Sequence, residues 1–289
     1  MAIATIMTDD PGLALLDRVD RSFWSATTSI YLEKLGSDQP AFNWSVGVAL
    51  SALNEAARHE PKWVRRLRDY LPAVQRYWND VGPVPGFDVL PGPKPVDRYY
   101  DDNAWMAIAL LEAAEVLKEP EWVDVAAKTV AYVLSGKDEK LGGGIYWKEA
   151  EKTSKNVCSN APSAAALLAL HARRPDPSLL QEAVELYAWT KAKLRDPEDG
   201  LYWDNLRLDG TVEKTKWSYN SALMLRTAIG LHEATKKPEY KEDADRIARA
   251  AAKRWILADG KIACEGRFAH LLVEDLVAYE NRYKVDVFD

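Results

Sequence analysis

The sequence predicts an all-α protein, an (α/α)6-type toroid of helical hairpins whose last hairpin is truncated or missing. Three observations predict it. First, Asn43, Asn103, Asn160 and Asn220 recur 57–60 positions apart, and each opens an Ala/Leu-rich segment. Such self-similarity at a fixed period marks a repeat architecture. Second, Pro61, Pro120, Pro177 and Pro238 recur with nearly the same period. Proline suits a first helical turn, where its missing N–H has no intrahelical partner to lose. Third, the two helix types differ. Segments such as Ala164-Ala165-Ala166-Leu167-Leu168 are apolar all round, whereas Trp63, Leu67, Leu71, Val74 and Trp78 form one stripe among charges. The former are inner helices contacted on every side, and the latter outer helices with one buried face.

Taken in order, a first helix starts at Asp9 or Asp10 with Pro11 at its first position and runs to Trp24. Leu13, Leu16, Val19 and Phe23 give it one buried stripe. The four hairpins follow, and after Trp255 a last helix spans about Gly266 to Tyr283. The count is ten helices, fewer than a closed ring of six hairpins needs. Inner-to-outer turns are short, as at Lys118-Glu119. Outer-to-inner loops are long: Val81 to Arg98, Gly136 to Val157, and Arg195 to Lys216. The long loops therefore gather at the end where inner helices begin, and loops over a rigid scaffold commonly carry function. Gly144-Ile145-Tyr146-Trp147 and Gly200-Leu201-Tyr202-Trp203 read as short β-hairpins bordering that opening.

Composition narrows the class. Of 289 residues, 47% are hydrophobic and 28% charged, which permits a sizeable core in one domain over residues 1–289. A net charge of −6 without a basic stripe argues against nucleic acid. No run approaches the ~20 apolar residues of a membrane span. Met1 to Asp10 lacks the form of a signal peptide, so the chain is expected to be intracellular or to begin after a removed leader. Cys158 and Cys264 read as free, packed thiols. The 11 Trp and 13 Tyr exceed what packing asks for, and aromatic platforms that stack on sugars would use the surplus.

The segment Tyr99-Tyr100-Asp101-Asp102-Asn103-Ala104-Trp105 sets adjacent carboxyl groups among rings at the start of an inner helix. Asp at a helix start commonly caps it or complements its dipole. Burial of the helix and the surrounding rings favour chemistry instead. Glycoside hydrolysis needs paired carboxyl groups, roughly 5–5.5 Å apart where configuration is retained and ~6.5–9.5 Å apart where it is inverted. Repulsion between such neighbours raises one pKa and leaves the other group ionised.

Five motifs then carry a resemblance. Tyr100-Asp101-Asp102-Asn103-Ala104-Trp105, Gly143-Gly144-Ile145-Tyr146-Trp147, Lys155-Asn156-Val157-Cys158-Ser159-Asn160, Gly200-Leu201-Tyr202-Trp203-Asp204 and Trp217-Ser218-Tyr219-Asn220 stand in that order. They resemble the motifs of glycoside hydrolase family 76, the endo-α-1,6-mannanases, over about residues 40–256. The resemblance implies an (α/α)6 fold and hydrolysis of α-1,6-mannan with retention, without metal or cofactor. It makes Asp101 the nucleophile and Asp102 the general acid/base. Asp204 would contact sugar hydroxyls, and Asn156, Asn160, Trp147, Trp217 and Tyr219 would line subsites. Tyr100 and Trp105, flanking the pair, complete the substrate-binding set. The chain departs from the family in its short end and in the single Trp44 at the first inner helix.

The residues alone leave other roles open. Asn160 and Asn220 are also placed to cap helices, Lys155 to be solvated, Trp147 and Trp203 to pack a hairpin, and Asp204 to make a turn. Two further functions remain, a sugar epimerase and a non-catalytic carbohydrate-binding toroid. Epimerisation needs paired histidines. Of the four, His59, His171 and His232 fall at the far ends of inner helices, and only His270 sits towards the mouth. The expected partner is an oligo- or polysaccharide, and the expected state a monomer.

Overall fold

The computed structural model describes residues 10–92 and 96–287; the leader region considered above falls mainly outside them. Ten α-helices are present among the described residues. Helix α1 (Pro11–Phe23) is capped by Asp10, whose side chain accepts from the amides of Gly12 and Leu13. Helices α2 (Asn43–His59), α4 (Tyr100–Leu117), α6 (Val157–Arg173), α8 (Ser218–Thr235) and α10 (Gly266–Tyr283) form an inner series, each packed on the next. Helices α3 (Pro61–Val74), α5 (Glu121–Leu134), α7 (Pro177–Leu194) and α9 (Pro238–Trp255) lie outside, each against the inner helix before it. The repeat therefore becomes a helical toroid. Pro61, Pro177 and Pro238 take the first helical position, whereas Pro120 is the N-cap of α5.

Burial separates the two helix types as the composition predicts. In α4 every residue from Asn103 to Leu111 is buried, while α9 buries one face through Tyr240, Ala244, Ile247, Ala251 and Trp255. At about 25 cal/mol per Å² of apolar surface, that inner layer dominates the stabilisation of the ring. Inner helices α4 and α8 then turn within a few residues, through Lys118 and Lys236 in the left-handed region.

The repeated GxYW segments are not themselves hairpins. They make isolated bridges, Lys137 with Ile145, Tyr146 with Lys155, and Arg195 with Tyr202. The true strands lie elsewhere: β1 (Trp24–Ser25) pairs with β2 (Ile30–Tyr31), β3 (Trp78–Asn79) with β4 (Gly86–Phe87), and β5 (Ser154–Asn156), β6 (Asn205–Arg207) and β7 (Val212–Glu213) form an antiparallel sheet in the order β5-β6-β7. That sheet joins two successive long loops at the mouth. The glycines explain why the motif repeats. Gly144 and Gly200 have positive φ, and a Cβ at either would lie 2.8 Å from the Trp189 ring or 2.7 Å from Arg246 Nη1.

Buried polar side chains fix these loops to the inner helices. Asn103 accepts from the Phe87 amide at 2.8 Å and donates to the carbonyls of Phe87 and Tyr99. Asn160 repeats the device on Ile145, accepting at 2.7 Å and donating to the carbonyls of Ile145 and Asn156. Neither is a cap. Each lies one turn inside its helix and satisfies both backbone groups of a buried loop residue. Lys155 is fully buried rather than solvated: its ammonium meets Asp138 Oδ1 at 2.7 Å and the carbonyls of Asp138, Lys140 and Gly143. Arg98, equally buried, ties Glu149 at 2.7 Å to the carbonyls of Asn79, Val81 and Val84.

Asn160→Ala leaves the amide and carbonyl of Ile145 buried and unpaired. A loss of about 2–4 kcal/mol is expected, since each orphaned group costs about 1–3 kcal/mol. Urea unfolding followed by circular dichroism measures it.

Candidate active site

The long loops enclose a cavity of about 650 Å³ at the end of the ring where α4, α6 and α8 begin. Asp101 and Asp102 stand at its floor in the first turn of α4, where the helix dipole favours negative charge. Desolvation outweighs that favour. Surrounding protein raises the Asp101 pKa to about 6, although the Trp147 indole lowers it by donating to Oδ2 at 2.9 Å. The same carboxylate is approached by the backbone amides of Asp101 and Asp102 and by the Cys158 thiol. Its other oxygen, Oδ1, is buried without a well-formed hydrogen bond. Asp102 is raised much further, by burial first and then by the charges of Asp101 and Asp97. The pair therefore shares its protons unequally, with the ionised form resting on Asp101 and the proton on Asp102.

Aromatic rings form the walls. Trp147 is 41% exposed and stands over Asp101. Across the cavity Tyr219 stacks on Phe268 with centroids 4.3 Å apart, and Trp217 meets Phe268 edge-on. Trp44 closes the side towards α2, edge-on to Tyr219. Asp204, Asn205 and Arg207 descend from β6 and the residue before it, Asn156 comes from β5, and Arg267 from α10.

Asp204 owes its place to a change in the repeat. Asn103 and Asn160 hold the preceding loop, but in the fourth repeat Ser221 takes that task by accepting from the Tyr202 amide at 3.2 Å. Asn220 is thereby released and donates to Asp204 Oδ1 at 3.2 Å, while Asn205 donates to Oδ2 at 2.8 Å. Asp204 is a held carboxylate facing the cavity rather than a plain turn residue, and burial raises its pKa.

Of the residues singled out in the sequence, Asp101, Asp102, Trp147, Asn156, Asp204, Trp217 and Tyr219 line this one cavity. Tyr100, Trp105 and Asn160 do not. Tyr100 is 1% exposed and stacks on Tyr132, and Asn160 is spent on Ile145. Trp105 lies beneath the floor, edge-on to Trp44, with the Arg226 guanidinium over its ring. Tyr100 is rotated off the face that carries the pair, whereas Trp105, three and four residues on from the two aspartates, shares that face one turn deeper in the ring. Trp203 lies outside the cavity, its indole on Asp196. Cys158, Arg207, Arg267 and Phe268 line it without having been singled out. Following the repeat as far as α10 would have reached Arg267 and Phe268; Cys158 was read from the sequence only as a free, packed thiol.

No histidine lines the cavity. His270 is set in α10 near Glu274 and Arg226, His232 bonds Tyr283, His59 bonds Glu55, and His171 lines a separate cavity at the far end of the ring. Among the described residues no cluster of three or more His, Cys, Asp or Glu is arranged to hold a metal. No described helix is long and apolar enough to cross a membrane.

Two carboxyl groups of divergent proton affinity, walled by rings, meet what hydrolysis of a glycosidic bond requires, and the fold supplying them is a helical toroid. That makes the chain an α-helical glycoside hydrolase. Residues 21–280 match the family model for glycosyl hydrolase family 76, and the chain belongs to that family. Its structure is similar to a GH76 α-mannanase of Bacteroides thetaiotaomicron, with a TM-score of 0.91 and 26% identity over 97% of this chain and 81% of that one. A family 76 glycoside hydrolase from a bovine strain of the same species gives 0.86 and 25%, covering 96% and 65%. The α-1,6-mannanase GH76A of Salegentibacter sp. HEL1_6, solved as an inactive variant with α-1,6-mannotetrose, gives 0.82 and 22%, covering 95% and 80%, and shares the fold. No curated protein matches.

Two outcomes are expected. Trp147→Phe removes the donor to Asp101 Oδ2, raising the Asp101 pKa, so the acidic limb of kcat/KM should move upward from about pH 6 and the maximum fall roughly tenfold. A pH–rate series checks both. Because the folded-state pKa values are raised, the pair's contribution to stability is present below about pH 4 and lost as pH rises through the folded values. Asp102→Asn should therefore raise the thermal midpoint at about pH 8 and leave it nearly unchanged at about pH 4, as read by calorimetry.

Proposed function

We propose that this hydrolase cleaves α-1,6-linked mannan with retention of configuration, acting within the chain through Asp101 and Asp102. The observation that carries the reading is the asymmetry of the pair: Asp101 accepts from the Trp147 indole at Oδ2 and leaves its buried Oδ1 unpaired, while Asp102 retains its proton. The Asp101 carboxylate attacks the anomeric carbon as Asp102 protonates the departing glycosidic oxygen. The bond to that oxygen breaks and a glycosyl ester forms on Asp101. Asp102, now ionised, takes a proton from water, whose oxygen attacks the same carbon and releases Asp101. Both aspartates end as they began. Trp147 on one wall and Tyr219 with Phe268 on the other offer flat faces to sugar rings, and Asp204 offers an acceptor to hydroxyls. A cavity of about 650 Å³ that opens between walls suits an internal stretch of a polymer. The substrate class is supported by the neighbours, one an α-mannanase and another an α-1,6-mannanase crystallised with α-1,6-mannotetrose.

Incubation with α-1,6-mannan should release oligosaccharides before free mannose, and the first product should carry the α anomer by proton NMR. Asp101→Asn and Asp102→Asn should each lower kcat at least about a thousandfold while remaining folded. Binding without cleavage by the intact protein would instead mark a carbohydrate-binding toroid, and full turnover in either variant would refute the assigned roles.

A further inference from the structure

Trp203 ends the second copy of the GxYW motif, and the active site does not use it. Its side chain lines a separate cavity of about 410 Å³, together with Asp196, Lys214, Lys216 and Arg254. The two cavities share a wall. Trp203 and Asp204 are consecutive, and the first lines the outer cavity while the second lines the active one. Lys216 and Trp217 repeat that division after β7. Successive side chains of extended backbone point to opposite faces, so at these two places a single thickness of chain separates the cavities.

The lining of the outer cavity is held rigidly. Asp196, 7% exposed, accepts from the Trp203 indole at 3.1 Å and from the Glu198 amide at 2.9 Å, and it pairs with the Lys216 ammonium at 2.6 Å. Lys216 also pairs with Asp199 at 2.7 Å. The half-buried indole packs against the core, and the ammonium of exposed Lys214 stands 5.1 Å from its ring centre. Lys214 and Arg254 form no salt bridge among the described residues.

We propose that this outer cavity is a second binding site for the α-1,6-linked mannan chain, one that holds polymer beside the mouth without cutting it; the inference rests on mannan being the substrate. The chemistry suits a neutral, hydroxyl-bearing ligand. An aromatic face takes the C–H side of a sugar ring, while ammonium, guanidinium and carboxylate groups around it donate to and accept from hydroxyls. An anion would meet Asp196 and Glu198, and a cation would meet Lys214, Lys216 and Arg254. Asp196 is spent on Trp203 and Lys216, so no free pair of acids stands there to break a bond. A polymer seated in both cavities stays tethered when one contact lets go, which raises its effective concentration at the mouth.

Two measurements test the site. Asp101→Asn, folded and without turnover, is titrated with α-1,6-mannotetrose by calorimetry, with and without Trp203→Ala. Two tetrasaccharides should bind per chain in the first protein and one in the double variant. In the otherwise intact enzyme, Trp203→Ala should raise KM for mannan roughly three- to tenfold at unchanged kcat and leave tetrasaccharide hydrolysis within about twofold of wild type. One tetrasaccharide per chain in Asp101→Asn, an unchanged KM for mannan, or an equal loss on polymer and tetrasaccharide would overturn the second site. Should Trp203→Ala fail to fold, Arg254→Ala decides: a rise in KM of about twofold or more on mannan alone supports the site, and none overturns it. Cleavage of mannan by the wild-type protein, with a single tetrasaccharide bound, sinks this inference and leaves the proposed function standing. Neither cleavage nor binding sinks both.

Discussion

The mouth of the toroid is governed by the cost of holding two adjacent carboxyl groups out of bulk water. Two negative charges a residue apart in a desolvated turn repel each other, and the strongest influence on both is burial rather than a cationic partner among the described residues. The favour of the α4 dipole is worth about 0.3–1 kcal/mol at an exposed helix end, too little to offset that repulsion. The protein answers by leaving a proton on Asp102 and giving hydrogen-bond donors to Asp101. The same imbalance that weakens the fold divides the pair into one protonated and one ionised carboxyl group, the division that the proposed reaction uses. Stability and activity pull against each other at these positions, as is usual for sites built from buried charge.

A strained pair needs a rigid surround, and the buried polar side chains supply it. Asn103 and Asn160 hold the loops by their backbone. Lys155 gathers carbonyls from the loop preceding Trp147, and Arg98 ties the loop before α4 to Glu149. Trp147 is therefore fixed from several sides before it reaches Asp101. The repeated frame also explains where it departs from itself. Ser221 takes over the task of an asparagine, and Asn220 is free to hold Asp204 towards the cavity. The same helix-start asparagine thus holds a loop backbone in two repeats and a carboxylate in the fourth.

Much of this was legible beforehand because helices announce themselves locally. Period, proline placement and the contrast between all-apolar and one-faced segments depend only on neighbours a turn apart, and the last helix fell at Gly266–Tyr283 as read. Short strands gave no such signal. The GxYW segments look like hairpins because glycine and aromatic residues mark turns, but strand pairing here joins loops about 50 residues apart, Lys155 to Leu206 among them. The acidic pair was legible as an oddity of composition, and its catalytic reading was carried by motif order.

By itself the sequence determined the helices, their inner and outer character, the end at which long loops collect, and the identity of the paired acids. Tertiary structure alone decided which side chains face the hollow. It turned Tyr100, Trp105 and Asn160 into the core and brought Cys158, Arg267 and Phe268 to the cavity wall. The reason is geometric. A residue's rotation about its helix is fixed by packing against helices distant in the chain, and a polar side chain's role depends on which backbone or carboxylate that packing sets within three ångströms of it.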